Sequence, residues 1–103
     1  MWVFVANGSG IAGLQLTLAG SAGQPQLKVI WQKPDAGTSP IVANGVLYSA
    51  NSGRLQALDP ETGTTLWATT QVGPIHWESP VVADGTVYLT DETNRLTAFA
   101  LLP

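Results

Sequence analysis

The chain has 103 residues, of which 45% are apolar and only 11% are charged, with a formal net charge of −3. This size allows one ordinary hydrophobic core, and four scattered Lys and Arg residues exclude an electrostatic surface for nucleic acid or anionic membranes. The chain has no cysteine, which excludes disulfides and thiolate chemistry, and no run approaches the roughly 20 apolar residues that a membrane-spanning helix needs.

The first segment, residues 1–34, predicts strands separated by a long glycine-rich excursion. Val3 to Asn7 reads as a strand, the excursion extends from Gly8 to Gly23, and Ile30-Trp31 belongs to the last strand of the segment. The glycines of residues 8–13 are spaced as in a phosphate-binding G-x-G-x-x-G loop, but no helix follows them. We therefore predict a flexible loop between strands at 8–13.

The rest of the chain contains an internal repeat with a period of about 40 residues. Residues 39–48 align without a gap on residues 79–88, and residues 54–58 recur as residues 95–99. Each copy contains Asn-Gly or Asp-Gly, the pair that favours a two-residue turn between antiparallel strands. Such a unit cannot bury its apolar face alone, so the repeat predicts stacking of neighbouring units.

The turn residues predict an all-β chain of ten strands. Residues 1–34 form a degenerate partial unit of three strands, residues 35–71 a complete four-stranded unit, and residues 72–103 a partial unit of three strands. The predicted strands of the last two units are 39–43, 46–51, 54–59, 64–70, 79–83, 86–91 and 95–101. Incomplete units leave unpaired strand edges, which proteins avoid exposing. We therefore expect either further units of a longer protein or self-association through these edges.

Residues 57–67 fit the pattern A-x-D-x-x-T-G-x-x-x-W, which resembles the tryptophan-docking motif of quinoprotein-type β-propellers, the family named after pyrroloquinoline quinone. The resemblance covers residues 38–101 well and residues 2–34 loosely. It implies about two and a half propeller blades, each an antiparallel meander of four strands, and an extracytoplasmic location. It also implies that the stop at Leu101-Leu102-Pro103 is the C-terminal end of a propeller. The motif residues are Ala57, Asp59, Thr62, Gly63 and Trp67, with Trp31 as the corresponding tryptophan of the preceding blade.

The resemblance implies that Trp67 stacks on a glycine of the next blade and that Asp59 and Thr62 brace the turn. A large indole can lie on a glycine peptide because no side chain blocks the approach. Trp31 would do the same in the preceding blade. The motif therefore predicts a packing contact that joins neighbouring blades, and it predicts no catalytic role for these residues.

The candidate binding residues lie in the connection between the last two units. In a propeller, such connections line one mouth of the central channel, so His76, Trp77 and Glu78 could contact a partner. The structural interpretation is favoured: Trp77 covers the rim, His76 faces solvent and Glu78 makes a local hydrogen bond. A lone histidine cannot form a conventional metal site. The acidic loop Asp91 to Asn94 lacks an EF-hand pattern and is interpreted as a solvated turn.

The resemblance implies two functional classes, since the family contains dehydrogenases and catalytically silent propellers. A quinone-calcium site would need several converging oxygen ligands, and no such set is identifiable in the sequence. We assign no catalytic, cofactor-binding or metal-binding residue and leave enzyme activity open. The leading hypothesis is a non-catalytic scaffold or protein-binding segment. The alternative is a set of framework blades in a dehydrogenase that uses pyrroloquinoline quinone and calcium.

Overall fold

The computed structural model describes residues 1–100, which form ten strands in three antiparallel sheets. The first sheet has the order β1-β2-β3, the second β4-β5-β6-β7 and the third β10-β9-β8. The strands are β1 Trp2–Asn7, β2 Gly10–Ala19, β3 Gln24–Lys33, β4 Ile41–Ala43, β5 Val46–Asn51, β6 Arg54–Leu58, β7 Thr65–Thr69, β8 Val81–Ala83, β9 Thr86–Thr90 and β10 Leu96–Ala100. The predicted fold class, an all-β partial propeller, is confirmed.

The described residues include no helix that could cross a membrane. The predicted last strand reaches Leu101, and the predicted end of the propeller comprises Leu101, Leu102 and Pro103. These three residues lie outside the described part of the chain.

The hairpins that open the second and third sheets follow from their turn residues. Asn44 and Gly45 have φ of 50° and 74°, and Asp84 and Gly85 have φ of 49° and 73°. Two successive residues with positive φ make the type I′ turn, whose twist matches that of the flanking strands. Each turn sets its register, since Ala43 pairs with Val46 and Ala83 with Thr86.

The prediction of a flexible loop over residues 8–13 is wrong for four of its six residues. Residues 10–13 are the first four residues of β2 and pair with both neighbouring strands, so that Ala12, for example, lies between Val5 and Gln32. Two glycines in this stretch lower its intrinsic strand preference. Hydrogen bonding on both edges and close packing against Trp31 override that preference.

Two hydrophobic clusters lie on the two faces of the second sheet. Strand alternation sends Leu47 and Leu58 to the face next to the first sheet, and Ala50 and Leu55 to the face next to the third. The cluster towards the first sheet also contains Ile11, Trp31, Trp2, Phe4 and Ala6; the cluster towards the third contains Val72, Val87, Leu89, Tyr48, Ile75, Val82 and Phe99. The second sheet is therefore the centre of the described structure.

Candidate functional site

The first contact of interest joins Trp31 of the first sheet to the turn between β6 and β7. The indole Nε1 donates a hydrogen bond of 2.8 Å to the carbonyl oxygen of Pro60. The ring lies flat against Gly63, where an added Cβ would be only 2.5 Å from Cε3 of Trp31. Gly63 also has a φ of 75°, which other residues rarely adopt. The turn thus provides an acceptor and a side-chain-free surface for this tryptophan.

Short-range hydrogen bonds hold that turn in shape. Asp59 Oδ1 accepts from the backbone N–H of Glu61 at 2.9 Å, and the Asp59 carbonyl oxygen accepts from the N–H of Gly63 at 2.8 Å. The hydroxyl of Thr62 accepts from the N–H of Thr64 at 3.2 Å. Ala57 lies buried in β6 just before the turn. These bonds present Gly63 and Pro60 in a fixed arrangement.

Trp67 has different surroundings from Trp31. Its ring meets the edge of Phe99 in the third sheet, with centroids 5.4 Å apart and planes at 65°, and the residue is 41% exposed. No glycine of the described chain lies against it. The turn that would follow β10 falls beyond residue 100. The docking role of the motif residues therefore remains a prediction.

The connection between β7 and β8 carries the predicted binding residues side by side. Trp77 is 79% exposed, and its ring stacks on that of His76 with centroids 4.1 Å apart. Glu78 Oε1 accepts from the backbone N–H groups of His76 at 2.8 Å and Trp77 at 3.1 Å. The carboxylate thereby holds the two aromatic residues in one exposed surface. Their role in binding is not tested by these contacts.

A second carboxyl group adjoins this connection. A hydrogen bond with the Glu92 side chain, together with the N–H group of His76, lowers the pKa of Glu78 to about 2. The same hydrogen bond and the repulsion of the Glu78 charge raise the pKa of Glu92. The backbone N–H of Glu92 also donates to the Pro74 carbonyl oxygen at 2.9 Å. The turn after β9 is therefore joined to the connection by backbone and side-chain contacts.

Asp91 is the important residue of that turn, and its interpretation as solvated is wrong. It is 5% exposed, and its carboxylate accepts from the N–H of Gly73 at 3.0 Å and from the N–H and hydroxyl of Thr93. Arg95 Nε lies 3.4 Å from Oδ2. The Thr93 hydroxyl, the backbone donors and the Arg95 charge together lower the pKa of Asp91 to about 2.

The repeat itself contained a signal for this role of Asp91. Asn51 occupies the equivalent position one repeat earlier, and its amide donates to the Ala36 carbonyl oxygen in the preceding connection at 2.9 Å. Both side chains fasten the chain segment that enters their unit. A polar residue at the same place in both copies was therefore the available clue.

An open cleft of about 510 Å³ lies at one end of the first sheet. Two of its polar lining side chains are already engaged: Asn7 Oδ1 accepts from the backbone N–H groups of Ser9 and Gly10, and Lys33 Nζ donates to Thr65 and lies 3.6 Å from Asp35. Within residues 1–100, no three His, Cys, Asp or Glu side chains form a group that could hold a metal ion. The residues predicted to contact a partner, His76, Trp77 and Glu78, lie elsewhere, in the connection between β7 and β8.

Comparison with known proteins gives consistent matches. The sequence model of the family described as outer membrane protein assembly factor BamB matches residues 18–102. BamB of Yersinia pestis is 29% identical over 91% of this chain, and BamB of Salmonella typhimurium is 36% identical over 62% of it. The chain spans only 27% and 16% of the length of these two relatives.

Solved structures show the same fold. BamB from Moraxella catarrhalis superposes with a TM-score of 0.68 and 22% identity, covering 95% of this chain and 34% of that one. A europium-containing methanol dehydrogenase superposes with a TM-score of 0.69 and 19% identity, covering 97% of this chain and 21% of that one. At these identities, the superpositions establish the shared architecture alone.

Proposed function

The chain belongs to the family of outer membrane protein assembly factor BamB, within the quinoprotein-like β-propellers, and we propose on that basis that it is a non-catalytic scaffold that binds a protein partner. The family name refers to assembly of proteins at the outer membrane, and the chain is extracytoplasmic. The proposed partner is another protein of that assembly process.

The observation that carries the proposal is the exposed pair formed by His76 and Trp77. An indole that is 79% exposed is costly in water, and aromatic residues are enriched at the centres of protein interfaces. The Glu78 carboxylate fixes the backbone of both residues, so little conformational freedom would be lost on binding. Pro74 and Ser52 add further support, since Glu92 bonds to Pro74 and Ser52 bonds to Ile75 in the same connection.

The test compares Trp77→Ala with Leu66→Ala in the intact protein. Leu66 is an exposed apolar residue on β7, away from the connection, and serves as the matched control. We expect Trp77→Ala to reduce recovery of envelope proteins by affinity capture about tenfold or more, as for a residue at the centre of an interface. Leu66→Ala should leave recovery unchanged. Equal recovery by both variants would reject this surface as the binding site.

The shared fold with a methanol dehydrogenase supports one alternative, in which these blades are the framework of a quinone-dependent enzyme. Within the described part of the chain no three His, Cys, Asp or Glu side chains are grouped so that they could hold a metal ion, and we derive no catalytic step from these residues. Titration of the intact protein with pyrroloquinoline quinone and calcium separates the two proposals. Quinone uptake with dye reduction by an alcohol or sugar would reject the non-catalytic assignment.

A further inference from the structure

The hairpin of β4 and β5 carries an Asn-Gly pair at its tip. Asn44 and Gly45 are the two residues of the turn, and both are exposed. No atom of the described chain lies within 4 Å of a Cβ added at Gly45. Because Gly45 has no side chain, nothing screens its backbone nitrogen from the side chain of Asn44. The turn therefore places an amide carbon next to a nitrogen that can attack it.

The reaction between these two groups is a cyclisation within the chain. The backbone nitrogen of Gly45 attacks Cγ of Asn44 and loses its proton, and the side-chain nitrogen of Asn44 leaves as ammonia. The product is a five-membered succinimide ring. Water then opens the ring at Cγ to give aspartate, or at the main-chain carbonyl carbon to give isoaspartate. Because the reacting groups belong to adjacent residues, the attack has the advantage of an intramolecular reaction.

The folded turn restrains this attack. Asn44 is held in the left-handed region with a φ of 50°, and Ala43 and Val46 pair directly beside the turn. Ring closure requires rotation of the Asn44 backbone out of that conformation, so the hairpin must first open. β4 is the edge strand of its sheet and forms only three residue pairs. A short edge strand of this kind opens locally without unfolding of the rest of the protein.

The equivalent turn of the third sheet shows that aspartate fits this conformation. Asp84 has a φ of 49°, against 50° for Asn44, and the two turns join strands in the same register. Conversion of Asn44 to aspartate is therefore compatible with the hairpin. Isoaspartate is different, because it adds a methylene carbon to the main chain. A two-residue turn with an additional main-chain atom no longer matches the pairing of its strands.

We propose that Asn44 is a site of spontaneous deamidation and that its isoaspartate form weakens the hairpin of β4 and β5. The reaction takes place in molecules in which β4 has separated from β5. β4 also contacts β8 of the third sheet, so the change would extend to the contact between the two sheets. The modification is independent of the proposed partner binding by Trp77.

The test follows residue 44 in the intact protein during incubation in mildly alkaline buffer, in which the attacking nitrogen loses its proton more readily. Samples are digested with pepsin in acid, where the reaction is slow. Tandem mass spectrometry then locates the replacement of an amide by a carboxyl group, and chromatography separates the aspartate and isoaspartate forms. The same measurement on the denatured chain gives the rate in the absence of the hairpin.

Two variants are matched to the wild type. Asp84→Asn creates a second Asn-Gly pair in the equivalent turn, which also follows an edge strand with three residue pairs. Asn44→Gln keeps the amide group but lengthens the side chain by one methylene, so the attack would have to close a less favourable six-membered ring. A third variant, Asn44→Asp, supplies the aspartate product without isoaspartate.

We expect residue 44 to convert in the folded protein at a rate about tenfold or more below that in the denatured chain, because the reaction follows the population of open hairpin. Asp84→Asn should convert at residue 84 within about threefold of the rate at Asn44, since the two turns have the same conformation. Asn44→Gln should show no conversion at residue 44. The isoaspartate form should exchange amide hydrogens of residues 41–48 at least about tenfold faster than Asn44→Asp does.

Three results would overturn the proposal. The first is no conversion at residue 44 in the folded protein over a period in which the denatured chain converts fully, since the turn would then be closed or covered. The second is equal rates in the folded and denatured chains, which would exclude control by opening of the hairpin. The third is equal hydrogen exchange of residues 41–48 in the isoaspartate form and in Asn44→Asp, which would show that the hairpin tolerates the longer main chain.

Discussion

Gly63 meets two demands that no other residue type meets at once. Its backbone has a φ of 75°, and the face of Trp31 lies where a side chain would begin. Gly53 meets only the first demand, because its φ is 77° and nothing lies within 4 Å of an added Cβ. Comparing substitutions at the two glycines therefore separates the cost of backbone strain from the cost of disturbing the contact between sheets.

We expect Gly63→Ala to lower the free energy of unfolding by about 2–4 kcal/mol, because the methyl group adds a steric clash to the strain of the left-handed backbone. Gly53→Ala should cost only the backbone strain, about 1 kcal/mol. Chemical denaturation of the intact protein measures both values. Equal losses in the two variants would show that Trp31 does not depend on the absence of a side chain at Gly63.

The carboxylate of Asp91 makes the free energy of unfolding depend on pH in acidic solution. Its pKa is about 2 in the folded protein and about 3.9 in an unfolded chain, so the folded state binds the proton less readily. The stabilisation by the carboxylate is therefore complete above about pH 4 and is lost as the pH falls through about 2.

We expect the free energy of unfolding of Asp91→Asn to fall less steeply between about pH 4 and 2 than that of the wild type. Asp84→Asn is the control: it changes an exposed hairpin residue to one that also accepts positive φ, and should keep the wild-type slope. Glu78 also has a lowered pKa, but it is present in all three proteins, and its contribution cancels in the comparison. Identical slopes in Asp91→Asn and wild type would contradict the prediction.

At the scale of the sheets, two unequal aromatic contacts hold three similar elements together. Trp31 is 9% exposed and makes both a hydrogen bond and a flat contact with the second sheet. Trp67 is 41% exposed and makes an edge contact with Phe99 of the third sheet. The interface between the first two sheets therefore depends more strongly on its tryptophan.

We expect Trp31→Ala to cost about 3–5 kcal/mol of unfolding free energy, as for other buried aromatic residues. Trp67→Ala should cost about 1–2 kcal/mol, because much of its indole is already in water. The two values come from denaturant titrations of the intact protein under the same conditions. A larger loss for Trp67→Ala would reverse the proposed order of the two interfaces.

At the scale of the whole molecule, burial is concentrated in the middle of the described chain. The second sheet has a hydrophobic cluster on each face, whereas Leu18 and Leu27 near the far end of the β2–β3 hairpin are exposed. Segments with few buried contacts open locally at a lower free energy than well-buried segments do.

We expect hydrogen exchange of the intact protein to be slowest for amides of β5 and β6 and fastest for residues 17–26 at the far end of the β2–β3 hairpin. Mass spectrometry of peptides that cover these two regions provides the measurement, and β9 serves as an intermediate reference. Exchange of residues 17–26 as slow as that of β6 would show that this end of the hairpin is covered in the intact protein.

Much of the fold could be predicted from the sequence because its determinants are local. Asn44-Gly45 and Asp84-Gly85 specify their turns within two residues, and the strands around them were predicted within two residues of their observed ends. The first sheet was less predictable. Its second strand contains Gly10 and Gly13, whose low strand preference gave the incorrect loop prediction, since pairing on both edges is not encoded in the stretch itself.

The sequence by itself determined the repeat, the hairpins, the family and the position of the exposed connection, because these depend on spacing and on short-range backbone preferences. Only the tertiary structure decided that the glycine beneath Trp31 is Gly63, that Trp67 meets Phe99, that Asp91 is buried and that β2 and β3 pair beyond their bulge as far as Ala19 and Gln24. Each of these depends on how one sheet is placed against the next or on where a bulge shifts the register. Such placements arise from contacts between distant residues, which no local pattern specifies.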